Sequence, residues 1–480
     1  MRSAHRPAAS RRRARAGLRL ARRTLGVRAD WHPPGRHRAR GAALAQGQRR
    51  YADTVRHPVS GRLWAAATVS AIGDYVGLGA LLILAFERSG GRMLGPAALF
   101  AAQAIPGLLS GAIAGSWLDR LPRRPVMVAL QIAGAGALVL PLLLSGLTVV
   151  LVAAGILGAI RAAFASVRSA AIAEGVPGHL RGSLLALFGV SDQTSQVIGY
   201  LTGAGMAVTF GAVPALLTDA LTFLAAAVVL TTLPLPRPSI REARPPITAG
   251  LRIIWSNPVL RLLAPLVWIT AAVAAIPEAL AAGIAGADSP MTPLVMAAGP
   301  AGQAATLAWL GRRREVERPS FQLIHLAFLS LAFALAALGT GAVWFIAGNL
   351  AIGAGVAWIL GPQTLFVRIA PPERMAQITG TMIAVLIAAE GAGTVALAGL
   401  ADARGIGAAY WVAGMTVLVA AIVGWVIKER TPEVADIDKE LAAIEHGLKG
   451  ADGDLGEAGP GPGVVDQERD DVDQGSAGVP

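Results

Sequence analysis

Between residues 63 and 427 the chain is a succession of apolar runs, each about as long as a bilayer is thick, separated by short segments rich in Gly, Pro and Arg. A helix needs roughly 20 residues to cross the hydrocarbon core. Backbone placed in lipid must satisfy its own hydrogen bonds, so only helices and closed barrels can span. These runs are continuous, without the ten-residue alternation of a barrel strand, which leaves an all-α membrane protein. Twelve spans are expected: 63–86, 94–118, 125–145, 147–171, 183–208, 212–233, 259–284, 290–310, 321–340, 342–367, 377–400 and 406–427. The longest internal loop, 234–258, divides them into two six-helix halves, 63–233 and 259–427.

Charge distribution separates this body from its ends. Mean hydropathy is +0.56 and 15% of residues are charged, against about 25% in an ordinary soluble domain. Residues 1–62 hold 17 Arg and two acids, Asp30 and Asp53, whereas residues 428–480 hold 14 acids and five Lys or Arg. The net charge of +12 is thus +15 in the head, −9 in the tail and +6 in the body. The head lacks the apolar core of a secretory signal. Two readings fit it, a disordered segment on anionic headgroups or upstream sequence before a later true start, and the second is favoured. The tail is expected to form a short amphipathic piece, Val434 to Leu448, and then a disordered end.

The arginines of the body set its orientation. With both termini on the cytoplasmic side, sixteen arginines fall in or beside cytoplasmic loops, from Arg120, Arg123 and Arg124 to Arg368 and Arg374, and three, Arg88, Arg92 and Arg404, on the other side. Sixteen to three satisfies the positive-inside rule, so the body's positive excess calls for no nucleic-acid partner. The halves also echo each other. Trp117, Leu118, Asp119 and Arg120 recur as Trp309, Leu310, Gly311 and Arg312, and Pro177 to Arg181 as Pro371 to Arg374, at nearly one offset. Tandem repeats with a substrate site between them near the midplane are a transporter arrangement.

One loop carries a motif. Between spans two and three stand Gly115, Asp119, Arg120, Arg123 and Arg124, a Gly, three residues, Asp-Arg, two residues and two basic residues. This resembles the loop 2–3 signature of the major facilitator superfamily, with Pro122 where that signature has a Gly. The resemblance covers residues 57 to 427. It is closest to the bacterial exporters that include the enterobactin exporter and macrolide-efflux-like proteins, on Gly73, Asp74, the run Ala163 to Arg168, Val176, Pro177, Leu180 and Arg181. The resemblance implies a conformational latch in which Asp119 caps a neighbouring helix start and pairs with basic residues, Arg123 and Arg124 meeting headgroups or the other half. A carboxylate there is favourable by up to ~1 kcal/mol when exposed. Topology alone would explain the arginines but does not require Asp119.

Ionisable groups at bilayer depth are functional candidates. Asp74, about eleven residues into the first span, is a candidate for proton coupling or for holding a cationic group, and equally for a structural hydrogen bond. Arg161 falls where the resemblance places a proton-linked Arg, and pairing with Asp74 is expected. Asp192, in the polar run Ser191 to Gln196, and Glu390, flanked by Ala389 and Gly391, are candidates to line a cavity, with an interhelical hydrogen bond as the plainer alternative. Glu278, after Pro277, marks a helix break or the outer surface, and Asp219 is a weaker candidate. Gly199, Gly203 and Gly205 suit helix packing, with Tyr200 where family exporters carry a Pro.

Cysteine is absent, no histidine set has metal-ligand spacing, and no phosphate loop or serine elbow occurs. No cofactor, metal or enzymatic activity is expected. The reading is a monomeric twelve-helix transporter of the bacterial inner membrane, exporting a bulky amphipathic small molecule, a drug or siderophore, against protons. A nutrient importer of the same fold, or a transporter-like sensor or scaffold, is the alternative.

Overall fold

In the computed structural model, residues 51–118, 121–235, 247–310, 318–359, 361–362, 365–366, 375–439 and 441–442 are described. Among them are twelve helices of fifteen residues or more: α1 Pro58–Arg88, α2 Leu94–Leu118, α3 Arg123–Leu143, α4 Leu147–Gly175, α5 Gly178–Phe210, α6 Ala212–Thr231, α7 Pro258–Ala274, α8 Thr292–Leu310, α9 Pro319–Leu338, α10 Ala342–Val356, α11 Met375–Arg404 and α12 Ile406–Arg430. Among the described residues nine helices are long and apolar enough to cross a membrane. The other three of the twelve, α2, α5 and α8, all belong to the seam between the halves.

Two elements, the head and the tenth span, depart from the sequence expectation, and the break in the seventh follows one of the readings offered for Glu278. The last residues of the expected disordered head are helical, over 51–56 and again from Pro58, because His57 caps α1 through Ser60 N and Pro58 occupies the first turn, where its missing N–H costs nothing. The seventh span is broken. Beyond α7 the chain forms only Ile276–Ala279 and Ala281–Ala285, since Pro277 withholds an amide from the ladder. The tenth span tightens after Val356 into a 3₁₀ turn, Ala357–Ile359.

The two faces of the bundle start their helices differently. On the face carrying both ends of the bundle, here the terminal face, α1, α7 and α9 have Pro in the first turn and α3 and α5 have Pro at the cap. On the opposite face the chain reverses through Gly90, Gly91, Gly146, Gly211, Gly286, Gly341 and Gly405, and these are the positive-φ residues among those described. A left-handed residue lets two helices join through a very short loop, and a Cβ there would be strained.

Packing repeats with a period of six helices. Within the first half α1 lies against α5 and α6, α2 against α4, and α3 against α4 and α6; within the second, α7 lies against α11 and α12, α8 against α10, and α9 against α10 and α12. The seam obeys the same rule, α5 meeting α8 and α11 meeting α2. Among the described residues its shared apolar packing lies toward the opposite face. There Val76 to Ala85, Leu99, Tyr200 and Ala204 share one buried cluster with Ala281, Val295, Met296 and Ala297. Toward the terminal face, the cluster of Leu63, Met127, Val167 and Leu184 contains first-half residues alone.

Candidate transport cavity

Three helices of the first half bring charge to the bundle centre. Arg161 Nε of α4 lies 3.8 Å from Asp74 Oδ2 of α1, with the two side chains 47% and 22% exposed. That exposure means the pair is not sealed inside a packed core. Tyr75 donates its hydroxyl to Asp192 Oδ1 of α5 at 3.4 Å. Next to Asp192, Ser191 Oγ accepts from Trp64 Nε1 at 2.8 Å, and about two turns along α4 from Arg161 toward the terminal face, Arg168 stacks on Phe188 at 4.7 Å from the ring centroid. Arg161 also acts electrostatically on Glu390 of α11, across the seam. Polar contacts of Asp74 with Arg161 and of Tyr75 with Asp192 thus join α1, α4 and α5 at mid-span, while Glu390 stands on α11 of the other half.

The second half holds a buried network of neutral hydrogen-bonding groups. Tyr410 donates to Asn349 Oδ1 at 3.0 Å, Asn349 Nδ2 donates to Val295 O at 3.3 Å, and Trp358 Nε1 donates to Thr270 Oγ1 at 3.2 Å. All five residues are buried. Glu278 is buried in the short helix after the α7 break, with Oε2 lacking a hydrogen-bond partner. Its Oε1 lies 3.5 Å from where a Cβ on Gly299 would stand, so it sits inside the second half rather than at its outer surface. Asp219 of α6 is also buried, its carboxylate lying over Gly73 and Gly77 of α1.

Of the expected latch, residues 119 and 120 lie outside the described residues, as do the surroundings of Gly115 within α2. Of Arg123, expected to meet headgroups or the other half, one contact is described. Its guanidinium is buried and pairs with Glu174 Oε1 of α4 at 3.1 Å, within its own half, because the Pro122 cap starts α3 with Arg123 facing the end of α4. Arg124 is exposed. Gly199 and Gly203 face α1, where a Cβ would run into Tyr75 and into the Val76 carbonyl; Gly205, expected with them, faces open space. Small residues at such crossings let membrane helices approach closely.

Sequence reasoning passed over Tyr75, Asn349, Tyr410 and Asp402. The first three are common aromatic and amide residues in apolar runs, and only their pairing distinguishes them. Asp402 stands in the last turn of α11 and accepts from the first amides of α2, Met93 N at 2.7 Å and Leu94 N at 3.0 Å.

Comparison with known proteins bears on the fold. The sequence profile described as Major Facilitator Superfamily matches residues 63–386, more than half of the chain. By sequence, no match is found among curated proteins. Solved structures with the same fold include the nucleoside transporter NupG, at 12% identity and a TM-score of 0.61 over 77% of this chain and 98% of that one. A peptide transporter POT in complex with alafosfalin matches at 14% identity and 0.62, over 78% and 95%. The human organic anion transporter MFSD10 matches at 18% and 0.56, over 76% and 99%. With twelve helices in two six-helix halves and this profile across both of them, the chain is a multi-pass membrane transporter that belongs to the Major Facilitator Superfamily.

Proposed function

We propose that the chain is a secondary active exporter working by alternating access in a bacterial inner membrane, with both termini cytoplasmic, moving a bulky amphipathic small molecule outward in exchange for protons. The drug- and siderophore-exporting branch suggested by Gly73, Asp74 and the Ala163 to Arg168 run is the proposed setting. The observation that supports this most is the partly exposed Asp74–Arg161 pair at mid-span. A pair so exposed is worth only ~0–1 kcal/mol, so protonation or a cationic substrate group can displace Arg161 without a large barrier. When Asp74 takes a proton, Arg161 loses its closest partner and its field falls on Asp192 and Glu390. That changes the charge around the pair and couples proton occupancy to substrate affinity. Trp64, Tyr75 and Phe188 add aromatic surface beside these charges, a lining suited to an amphipathic molecule. Asp119 and Arg120, with Gly115, would close the terminal face in the alternate state.

Everted vesicles with an acid lumen test the reading, using a panel of cationic, zwitterionic and anionic amphiphiles. Substrate-dependent dissipation of the pH gradient is expected, falling at least tenfold in Asp74→Asn at equal protein abundance. Equal responses from Asp74→Asn and the parent would sink the coupling role. Uptake with proton entry in right-side-out vesicles would reassign the chain as an importer.

A further inference from the structure

The Asp402 contact joins the halves at the opposite face. Its two carboxylate oxygens each accept one amide, from Met93 and Leu94, positions 309 and 308 residues earlier. These are amides at a helix start, which have no intrahelical acceptor. The helix they begin has no acid in its first turn, and the preceding Ser89, Gly90, Gly91 and Arg92 offer no Asp or Asn. Ser89, the one hydroxyl among them, spends its Oγ on the carbonyls of Phe86 and Arg92. The cap of α2 is therefore borrowed from α11, in the other half. Two neighbouring contacts reinforce it. The Met93 side chain sits where a Cβ on Gly283 would stand, in the short helix Ala281–Ala285, and Gly391 of α11 lies against Phe100, Ala101 and Ala104 of α2.

We propose that Asp402 is the closing contact of the opposite face, holding α11 on the start of α2 while the bundle is open toward the terminal face, and releasing it when the halves rock. The inference rests on the alternating-access reading. Charge-assisted bonds to backbone amides are strong for their size and directional, so this one is satisfied only at one separation of α2 and α11. Asp402 is itself exposed, so water can replace the lost bonds when the helices part. The contact thus biases the equilibrium without locking it.

The chain contains no cysteine, so the test is clean. Spin labels at Leu144→Cys and Ala403→Cys, exposed positions in the two halves on this face, report its opening in lipid nanodiscs. In Asp402→Ala the ratio of long-distance to short-distance populations is expected to rise about fivefold, the size of a lost helix cap. Asp402→Asn, which keeps an acceptor, is expected to change it by less than twofold. Arg92→Asp in the Asp402→Ala background gives α2 a cap of its own. If Asp402 acts as an inter-half closure the opened distribution persists in this double variant; if it merely stabilises α2, the parent distribution returns and the proposal fails. It fails equally if Asp402→Ala leaves the distances unchanged in protein that remains monodisperse. None of these readouts needs a substrate, so loss of the transport reading would show separately, as an absent vesicle response in the parent protein.

Discussion

The two faces of this bundle differ in one contact, the tie between halves that the described residues show at the opposite face. At the terminal face several polar contacts among the described residues lie within a half. Arg123 pairs with Glu174, Arg62 donates to the Thr232 carbonyl at 2.8 Å, Arg181 donates to the Ala173 and Val176 carbonyls, and Asp438 caps α9 through Ser320 N at 3.0 Å while Lys428 donates to Ser320 Oγ. At the opposite face Asp402 crosses between halves, above a shared apolar cluster. The difference teaches where motion is accommodated. On the proposed alternating access, ties within a half would keep each half rigid, and the Asp402 tie between halves would be the one the cycle has to break.

The largest effect that would break this contrast is expected at Arg123→Ala. It leaves the nearly buried Glu174 carboxylate without its cation, and an uncompensated buried charge costs about 3–5 kcal/mol. Thermal unfolding in detergent should show a drop of several degrees, with the Leu144–Ala403 spin-label distance unmoved; a changed distance would mean that the pair reaches across the seam. Gly405→Ala comes next, since it puts a Cβ at φ +90°, a strain of ~1–2 kcal/mol. Lower thermal stability is expected, and an unchanged midpoint would show that the α11–α12 reversal tolerates a side chain. Smallest is Asp438→Ala, which removes the α9 cap at ~1 kcal/mol and undocks the helix over 432–439, where Val434 is buried. Limited proteolysis should then cut after Lys428 or Arg430 faster than in the parent, and equal rates would sink the docking.

Much of this architecture was legible in the sequence because span length and apolarity are local properties. The expected 212–233 and 321–340 lie within two residues of Ala212–Thr231 and Pro319–Leu338. The segregation of Gly reversals to one face and Pro starts to the other was also present in the text of the chain, as residue types alternating from loop to loop. Arg161 with Asp74 was anticipated from a resemblance, yet that resemblance gave no warning of Tyr75 on Asp192. The Arg123–Glu174 contact was not legible because a loop arginine does not announce which of its neighbours is a buried carboxylate. Asp402 was invisible for a plainer reason: an acid just past the end of a span reads as a loop residue, and its partners are amides, which every residue supplies.

Arg88 stands on the face where the orientation count finds few arginines. Its guanidinium donates to the carbonyls of Pro141, Leu144 and Gly146, at the C-terminal end of α3, where a positive charge meets the negative end of the helix dipole. The side chain thereby staples the end of α1 to the α3–α4 reversal. Its charge is spent on backbone rather than on headgroups, so an apparent exception to the topology rule serves as a rivet in the rim of the first half.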